Sequence, residues 1–483
     1  MICIPIVGPT LEAATRQIAQ AQPLGHLVEL RLDRFDTHDI EALKELRSSI
    51  TSPVIFTLRK NSQGGSFKGS EQERLELIRR LAALNPTYLD LEYDIPRSFV
   101  VEMGHVFPHI KRIISYHDFD STPTDLESVW QKMQRMPGEL YKIACAAHST
   151  LDAMRMLILV RSHAPLLGMC MGAHGQITRI LASVFGSPWS YACLSQDEIA
   201  APGQLTADVL QSVYAIHRLT SKTTIYGLIG SPVTASLSQF THNKAMQELG
   251  VDAVYVKMHV EPSELSAFLL LAQQIGIRGI SVTMPHKEHI IPFLDETDPP
   301  AASMGAVNTL VLDSNRIKGF NTDGKGALDA IEDHLLVRGQ KVVILGAGGA
   351  ARAILHEALR RGAEVSIANR TFEKADRLAR IYGAKACRLE TLQPDYAVLI
   401  NTTPDPMPID PAAICPHAVV MDIKSSPLMP ELLQHAQSKR CTLVYGYEMF
   451  INQAIAQFAL WFSGEAKSLR EILQHEALKQ LNL

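Results

Sequence analysis

The chain has 483 residues, of which 46% are hydrophobic and 20% are charged. This composition is typical of soluble globular proteins, and the length predicts roughly two to four domains. The net charge of −4 argues against nucleic acid or an acidic membrane as the main partner. Met1 leads directly into an apolar run without a signal or transit pattern, and no apolar stretch has membrane-spanning length. The seven cysteines include no C-x-x-C pair, so we expect free thiols, no metal site and a cytoplasmic location.

Short apolar runs alternate with amphipathic segments in the first part of the chain. The runs are Ile2–Val7, Leu27–Leu32, Val54–Leu58, Tyr88–Leu91, Arg112–Tyr116, Tyr141–Ala146, Pro165–Met171 and Trp189–Leu194. Amphipathic segments such as Leu11–Ala21 and Leu151–Ser162 lie between most of them, and a last helical pattern covers Val209–Leu219. Eight strand–helix repeats predict a (β/α)8 barrel, with a doubly wound open sheet as the alternative.

Charged residues fall where the strands of such a barrel would end. A period of two places the charges of the second and fourth runs on one strand face. The residues concerned, with those that end or lie in other runs, are Glu29, Arg31, Asp33, Arg59, Asp90, Glu92, Asp94, His117 and Lys142. Charges at the C-terminal ends of several barrel strands are typical of a catalytic site.

Lys142 is the most informative of these residues, because it lies in the apolar run Leu-Tyr-Lys-Ile-Ala-Cys. Removing an ammonium group from water disfavours its charged form and leaves a nucleophilic amine, which forms a Schiff base with a ketone. His117 is a candidate for moving a proton next to the resulting iminium, since histidine titrates near neutral pH. Glu92 is a candidate for orienting the His117 ring.

A second α/β domain is predicted after a boundary near Ser221. Its strands are Thr224–Ile229, Ala253–Met258, Gly279–Thr283 and Asn308–Leu312, and its helices are His242–Leu249 and Ser263–Ile275. Lys287 follows one of these strands, and Asp323 lies in the turn Gly-Phe-Asn-Thr-Asp-Gly. A lysine and an aspartate that meet in a cleft can relay a proton to an alcohol oxygen during hydride transfer, although spacing alone does not bring these two together.

A dinucleotide-binding βαβ unit runs from Lys341 to Thr371. The strand Val342–Leu345 precedes glycines and an alanine at G-x-G-x-x-A spacing, and a helical pattern and the strand Glu364–Ala368 follow. The loop Gly346-Ala347-Gly348-Gly349-Ala350 would bring backbone N–H groups and a helix N-terminus to a pyrophosphate. The next turn, Asn369-Arg370-Thr371, has no carboxylate for a ribose hydroxyl, and Arg370 with Lys374 would suit a 2′-phosphate. The predicted cofactor is NADP(H).

The first half carries a combination of motifs: Glu29-Leu30-Arg31-Leu32-Asp33, Arg59 with Gly64-Gly65, Tyr116-His117-Asp118, Lys142, Met171-Gly172 with Arg179, and Ala201-Pro202-Gly203-Gln204. With these motifs, residues 1–216 resemble the type I 3-dehydroquinate dehydratases. The resemblance implies that Lys142 forms the Schiff base and that His117, supported by Glu92, is the general acid and base. It also implies which residues hold the substrate hydroxyls and carboxylate, namely Glu29, Arg31, Arg59, Arg179 and Gln204.

The second half, from Thr223 onward, is similar to the shikimate dehydrogenases. The residues that carry the similarity are Ser236-Leu237-Ser238, Thr283, Lys287, Gly305-Ala306-Val307-Asn308-Thr309, Asn321-Thr322-Asp323-Gly324, the loop at Gly346, Asn369-Arg370-Thr371 and Gln453-Ala454. The similarity implies Lys287 and Asp323 as the catalytic pair and Gly446 near the nicotinamide. The implied substrate-binding residues are Ser236, Ser238, Thr283, Asn308 and Gln453.

Four domains follow from these assignments: a dehydratase barrel (1–220), a substrate-binding domain (221–325), an NADP-binding Rossmann domain (326–442) and C-terminal helices (443–483). The expected protein is a bifunctional enzyme that acts on small molecules of the shikimate pathway, without a nucleic acid or membrane partner. The segment after Asp422 lacks a tyrosine that is usual in shikimate dehydrogenases. A dehydrogenase that accepts quinate or NAD therefore remains an alternative, as does a regulatory metabolite-binding protein.

Overall fold

The structure is a computed structural model that describes residues 1–233, 236–313, 315–462 and 468–481. Its contacts form two compact units. The first comprises Met1–Thr224, Asp252–Val260 and Leu270–Ile275, and the second comprises Ile225–Val251, Glu261–Leu269 and Gly276–Leu483. All seven cysteines are free, and four of them are buried. Within the described ranges, no helix has the length and apolar character needed to cross a bilayer.

Eight parallel strands form the barrel of the first unit. They are β1 Ile2–Ile6, β2 Leu27–Arg31, β3 Val54–Thr57, β4 Tyr88–Glu92, β5 Lys111–Asp118, β6 Leu140–Ala146, β7 Leu166–Met171 and β8 Ser190–Tyr191. Each strand from β1 to β6 pairs with its successor in the chain, and β8 pairs with β1. The predicted (β/α)8 barrel is therefore confirmed, and the doubly wound alternative for this part is wrong.

Helices follow the strands in the expected alternation. They are α1 Leu11–Ala21, α2 Ile40–Ser48, α3 Glu71–Ala82, α4 Arg97–Val106, α5 Leu126–Met133, α6 Thr150–Ser162, α7 Gln176–Ile180 and α8 Ala207–Ser212. Side chains satisfy free N–H groups at several helix starts: Thr10 caps α1, and Ser70 and Glu73 form a capping box on α3. Apolar side chains from all but one of the strands fill the interior: Cys3, Leu27, Ile55, Ile113, Ala144, Leu167, Met169 and Tyr191, with Trp189.

The predicted helix over Val209–Leu219 is wrong in its second half. Helix α8 ends at Ser212, and Ala215 adopts a left-handed conformation with φ +47°. Ile216 and Leu219 are nevertheless buried. The apolar spacing in this segment thus reflects burial of an irregular chain, which a helical periodicity does not distinguish from a helix.

A mixed six-stranded sheet follows in the chain. Its strands are β9 Thr224–Gly230, β10 Ala253–His259, β11 Ile277–Val282, β12 Glu296–Thr297, β13 Thr309–Leu312 and β14 Ile317–Phe320, in the order β10-β9-β11-β13-β14-β12. The helices are α9 Ser238–Glu248, α10 Leu265–Ile275, α11 His286–His289 and α12 Pro299–Met304. The sequence did not predict β12 and β14, because one has two residues and the other lacks a continuous apolar run.

The last sheet is parallel throughout. Its strands are β15 Lys341–Leu345, β16 Glu364–Ala368, β17 Lys385–Cys387, β18 Val398–Asn401, β19 Val419–Asp422 and β20 Thr442–Val444, in the order β17-β16-β15-β18-β19-β20. The helices are α13 Asp323–Glu332, α14 Gly349–Arg360, α15 Phe372–Tyr382, α16 Glu431–Ser438, α17 Gly446–Trp461 and α18 Leu469–Gln480. Two apolar clusters contain alternate residues of β15. The predicted Rossmann domain is confirmed, and β15 lies where the strand order reverses, which is the usual place for a nucleotide.

Candidate active sites

The polar side chains of the barrel converge at the C-terminal ends of its strands. Ser115 of β5 is in register with Glu92 of β4 and with Lys142 of β6. All the predicted barrel site residues except Glu92 line one cavity: Glu29, Arg31, Arg59, His117, Lys142, Arg179 and Gln204. Within the described residues, no group of three or more His, Cys, Asp or Glu is arranged to hold a metal ion.

The amine of Lys142 is buried and has two acidic neighbours. Its Nζ lies 3.2 Å from Oδ2 of Asp90 and 3.6 Å from Oε1 of Glu29. Thr57 donates a 2.6 Å hydrogen bond to the same oxygen of Glu29. The amine is therefore in contact with two carboxylates and is not isolated in an apolar strand, as the sequence alone suggested.

Asp90 is a site residue that the sequence interpretation noted in an alternating pattern but did not assign. Its Oδ1 lies 2.8 Å from Arg59 and accepts a 2.5 Å hydrogen bond from Ser115. Burial alone would raise the pKa of Asp90, but the charges of Arg59 and Lys142 outweigh it and lower that pKa well below its usual value. Asp90 is therefore ionised at neutral pH and fixes the position of the Lys142 amine.

Glu92 has other partners than the His117 ring. Its Oε2 accepts a 2.7 Å hydrogen bond from Arg74, and its Oε1 accepts one of 3.1 Å from the backbone N–H of Lys60. Arg74 is one of the most deeply buried side chains of the protein and also donates to the carbonyl oxygen of Leu58. No hydrogen bond joins Glu92 to His117 among the described residues, so the structure gives the predicted orienting role no support.

His117 is an uncharged base in this setting. Burial, together with the positive charges of Arg59 and Lys142, lowers the pKa of His117 well below 6.5. Its Nδ1 is buried and has no hydrogen-bond partner within the described ranges, and the ring of Phe119 stacks on the imidazole at 6.3 Å. A neutral imidazole with a free ring nitrogen can accept a proton from a bound molecule.

Arg179 is a buried cation that pairs with no carboxylate among the residues that the structure describes. Only 2% of the residue is exposed, its Nε has no hydrogen-bond partner in the described part of the chain, and its Nη1 contacts the sulfur of Met169 at 3.8 Å. Burial lowers the pKa of Arg179 to about 10. A buried, charged guanidinium with a free N–H donor is suited to bind a carboxylate that enters the cavity.

Two further residues of the cavity stabilise its walls. Arg31 forms a bidentate ion pair with Asp33, with both contacts at 2.9 Å. Gln204 accepts hydrogen bonds from the backbone N–H groups of Ala200 and Ala201, at 2.7 and 3.4 Å. The loop after β8 is thereby held with the Gln204 side chain in the wall of the cavity.

A second cavity lies within the C-terminal unit. All the predicted substrate-binding and catalytic residues of the second half line it, together with Gly446: Ser236, Ser238, Thr283, Lys287, Asn308, Asp323 and Gln453. Ala350 of the nucleotide loop lines it as well, so the cavity is continuous with the start of α14. Residues 130 or more positions apart in the sequence thus meet in one place.

Lys287 and Asp323 form a direct ion pair, which the sequence left open. The Lys287 Nζ donates to Asp323 Oδ2 at 2.5 Å, and Asn308 donates to the other carboxylate oxygen at 2.8 Å. The backbone N–H of Asp323, at the start of α13, donates to the Asn321 side chain at 3.0 Å. Asp323 is therefore fixed from three sides, while 19% of the Lys287 side chain remains exposed at the cavity.

Gln457 is a second residue that the sequence interpretation missed, since a glutamine inside a helix carries no motif. Its Nε2 donates a 2.9 Å hydrogen bond to the Thr309 hydroxyl. Its Oε1 accepts a 3.0 Å hydrogen bond from Ser281 and lies 3.4 Å from Nε2 of His242. Gln457 lines the cavity, and its hydrogen bonds connect α17 to β11 at Ser281 and to β13 at Thr309.

The nucleotide loop has the geometry that its sequence predicts. Gly346 adopts φ +114°, and a Cβ there would lie 2.3 Å from the Thr402 hydroxyl. Gly348 precedes α14 without a side-chain cap, and a Cβ there would meet nothing within 4 Å. The uncapped N–H groups and the open space at Gly348 fit the pyrophosphate of a dinucleotide.

The turn after β16 presents a basic surface. Arg370 and Lys374 are exposed, and the Asn369 amide donates 2.9 Å to the carbonyl oxygen of Thr371, which fixes the turn. No acidic side chain stands between the end of β16 and Thr371. Two exposed cations at this position suit a phosphate on the ribose better than a ribose hydroxyl.

Comparison with known proteins identifies the family of each half of the chain. The family model described as type I 3-dehydroquinase matches residues 2–221, and the models for the shikimate dehydrogenase substrate binding domain and for shikimate / quinate 5-dehydrogenase match residues 228–310 and 330–419. The chain is 34% identical to the chloroplastic bifunctional 3-dehydroquinate dehydratase/shikimate dehydrogenase of Arabidopsis thaliana, with 95% of this chain and 82% of the relative aligned. It belongs to this bifunctional family.

Other relatives of the family extend the comparison. A shikimate biosynthesis protein of Chlamydia pneumoniae is 33% identical, with 96% of this chain and 95% of the relative aligned. A crystal structure of a shikimate dehydrogenase in complex with NADP+ is 34% identical, with a TM-score of 0.52, and covers 55% of this chain and 97% of its own. The second half therefore has the shikimate dehydrogenase fold.

Proposed function

We propose that this chain catalyses two consecutive reactions of the shikimate pathway. The barrel dehydrates 3-dehydroquinate to 3-dehydroshikimate, and the C-terminal unit reduces 3-dehydroshikimate to shikimate with NADPH. The observation that supports the proposal most is the buried amine of Lys142, which shares a cavity with a neutral His117 and an unpaired Arg179. A nucleophile, a base and a carboxylate site are the three groups that imine-based dehydration of a keto acid requires.

In the dehydratase reaction, the Lys142 ammonium group gives up one proton and its nitrogen attacks the ketone carbon. That proton and one further N–H proton leave with the ketone oxygen as water, which gives a cationic imine with one N–H. His117 removes a proton from the neighbouring carbon, and the electron pair moves toward the imine nitrogen. The hydroxyl group two carbons away then leaves as water, with the proton that His117 returns, and hydrolysis frees the lysine. Arg179 binds the substrate carboxylate.

The remaining residues of the barrel cavity have supporting roles in this proposal. Four of them bind substrate hydroxyls directly or hold the neighbouring side chains that bind these hydroxyls: Glu29, Arg31, Arg59 and Gln204. Arg59 is paired with the ionised Asp90, and so it also stabilises the carboxylate that holds Lys142. Glu92 acts on the site through Arg59, 3.5 Å away, rather than through His117.

In the reductase reaction, Lys287 and Asp323 move the proton that accompanies hydride transfer. Lys287 is the exposed member of the pair, and its ammonium group donates to the substrate oxygen that becomes the hydroxyl. Asp323 accepts a hydrogen bond from Lys287 and holds it where it donates this proton. The side chains of Ser236, Ser238, Thr283, Asn308 and Gln453 bind the substrate carboxylate and hydroxyls.

The cofactor residues fit NADPH, which supplies the hydride when bound. The loop Gly346–Ala350 and the start of α14 hold the pyrophosphate, and Asn369, Arg370, Thr371 and Lys374 hold the 2′-phosphate. Gly446 begins α17 at the same cavity, where a Cβ would lie 2.3 Å from the carbonyl oxygen of Lys424, so only glycine fits beside the nicotinamide position. The proposed domains are residues 1–220, 221–325, 326–442 and 443–483.

Single substitutions in each site test whether the two activities belong to separate sites. Lys142→Ala should abolish dehydration and leave the reduction of supplied 3-dehydroshikimate unchanged. Lys287→Ala should lower reduction by roughly 10²–10⁴ and leave dehydration unchanged. Lys325→Ala is the matched control, because Lys325 lies beside Asp323 in the chain but pairs with Asp329 outside the cavity. Loss of both activities in a folded Lys142→Ala protein would contradict two independent sites.

Chemical trapping tests the imine itself. Borohydride added during turnover of 3-dehydroquinate should reduce the imine and attach the ligand mass to the peptide that contains Lys142. Lys44 is an exposed barrel lysine and serves as the internal comparison, because its peptide should carry no added mass. Active enzyme without a labelled Lys142 peptide would refute the Schiff-base mechanism.

A further inference from the structure

The aromatic ring of Tyr191 lies against the amine of Lys142. Tyr191 belongs to β8 and Lys142 to β6, and the Nζ stands 4.5 Å from the centre of the ring. An aromatic face attracts a cation over about 6 Å, and the attraction is strongest where water is absent. Only 3% of Tyr191 and 5% of Lys142 are exposed, so solvent does not screen this contact.

The ring differs in kind from the other two partners of the amine. Asp90 and Glu29 interact with the ammonium group through its N–H donors, of which there are three. The face of Tyr191 needs no N–H group, because it responds to the positive charge alone. The three contacts therefore depend differently on the chemical state of the nitrogen.

Imine formation removes the donors and keeps the charge. When the amine condenses with a ketone, a C–N double bond forms and the ketone oxygen leaves as water. The protonated product carries one N–H and a full positive charge. A single N–H cannot serve both Asp90 and Glu29 as three donors do, whereas the aromatic face still meets a cation at the same place.

We propose that the Tyr191 ring stabilises the cationic nitrogen of the imine on Lys142 and so favours its accumulation over the neutral carbinolamine that precedes it. This inference rests on the proposed dehydratase function, since it needs an imine on Lys142. It adds Tyr191 to the residues that act on the reacting atoms. The residue is a polar aromatic in the shortest barrel strand, where no motif indicates a role.

The hydroxyl group of Tyr191 offers a clean conservative substitution. It is buried beside the side chains of Cys3 and Trp189. Tyr191→Phe retains the aromatic face and removes only this hydroxyl, whereas Tyr191→Leu removes the aromatic face and keeps an apolar side chain. The two variants thus distinguish the contribution of the aromatic ring from that of the hydroxyl group and from that of an apolar side chain in the barrel interior.

The experiment compares the three proteins in borohydride trapping and in dehydratase kinetics. In Tyr191→Leu, the trapped fraction at saturating 3-dehydroquinate and kcat should fall by about 2- to 30-fold, which corresponds to ~0.5–2 kcal/mol of cation–π attraction. Tyr191→Phe should restore both quantities to most of the wild-type value. Urea unfolding of the same samples, followed by circular dichroism, reports whether the barrel of each variant folds.

Binding of quinate distinguishes an effect on the imine from a change in cavity shape. Quinate carries a hydroxyl in place of the ketone, so it can enter the cavity but cannot form an imine. Its inhibition constant should be the same in wild type and Tyr191→Leu. An equal loss of quinate binding and of kcat, wild-type trapping by Tyr191→Leu, or a Phe variant as impaired as the Leu variant would each overturn the inference. Active wild-type enzyme that is never trapped would instead refute the imine, and the role of Tyr191 with it.

Discussion

Replacing Arg179 by methionine should stabilise the unliganded barrel while it weakens substrate binding. Burial lowers the pKa of Arg179 from 12.5 to about 10, and at neutral pH the side chain is charged in both the folded and the unfolded state. The difference of about 2.5 pKa units corresponds to roughly 3 kcal/mol that the folded state loses by burying this charge without a carboxylate. Methionine has a similar length, adapts to irregular space and carries no charge.

Arg59 provides the matched comparison, because it is equally buried but paired. Burial alone would lower the pKa of Arg59, yet the charges of Asp90, Glu92 and Glu29 outweigh it and raise that pKa. Arg59→Met leaves buried carboxylates without their partner and should destabilise the barrel by roughly 3–5 kcal/mol. The two substitutions should therefore change stability in opposite directions.

Urea unfolding with and without a bound carboxylate ligand measures both effects. Wild type should gain stability with quinate according to its affinity, and Arg179→Met should start from a higher free energy of unfolding and gain much less. The KM for 3-dehydroquinate should rise in Arg179→Met. If Arg179→Met destabilised the protein as much as Arg59→Met, the guanidinium would have a structural partner and the proposed carboxylate site would be wrong.

Three other predictions concern the C-terminal unit. Arg370→Ala should weaken NADPH by roughly 1.5–3 kcal/mol and leave NADH unaffected, and equal losses in KM for the two cofactors would show that Arg370 does not bind the 2′-phosphate. Gly348→Ala should leave the melting temperature unchanged, because its Cβ meets nothing within 4 Å, yet raise the KM for NADPH; an unchanged KM would place the pyrophosphate elsewhere. Burial lowers the pKa of His242 from 6.5 to about 4, so the unfolded chain binds a proton between these values that the folded chain does not. Stability should therefore be lost as pH falls from 6.5 to 4, by up to roughly 3 kcal/mol, and His242→Gln should lack this part of the loss when thermal inactivation of the reductase is followed against pH.

The sequence by itself determined the architecture and the nucleotide loop. Eight strand–helix repeats predicted the barrel, and the βαβ unit around Gly346 predicted the Rossmann domain. Both predictions depend only on the spacing of residues that are close together in the chain. Helix α1, Leu11–Ala21, was predicted with the bounds that the structure has. The helical pattern after Val209 failed beyond Ser212, since apolar spacing records burial and an irregular chain can bury the same residues.

Only the tertiary structure decided which side chains are partners. Asp90 and Lys142 are 52 positions apart in the chain, and Lys287 and Asp323 are 36 apart, so strand register and helix packing bring each pair together. The alternating position of Glu92 made it a candidate for contact with His117. In the structure, its carboxylate instead accepts a hydrogen bond from the buried Arg74.

The ring of Tyr191 and the unpaired state of Arg179 follow from the same cause. Tyr191 belongs to no motif, and the motif that contains Arg179 does not show whether its charge is paired. The role of each residue depends on the groups within about 5 Å of it. Nζ of Lys142 meets the Tyr191 ring because β8 pairs with β1 and so returns to the barrel. Arg179 lies in α7, and the strand carboxylates of Asp90 and Glu29 already pair with Arg59 and Lys142. Periodicity predicts which face of a strand a residue occupies, whereas the tertiary structure sets the distances between the reactive side chains.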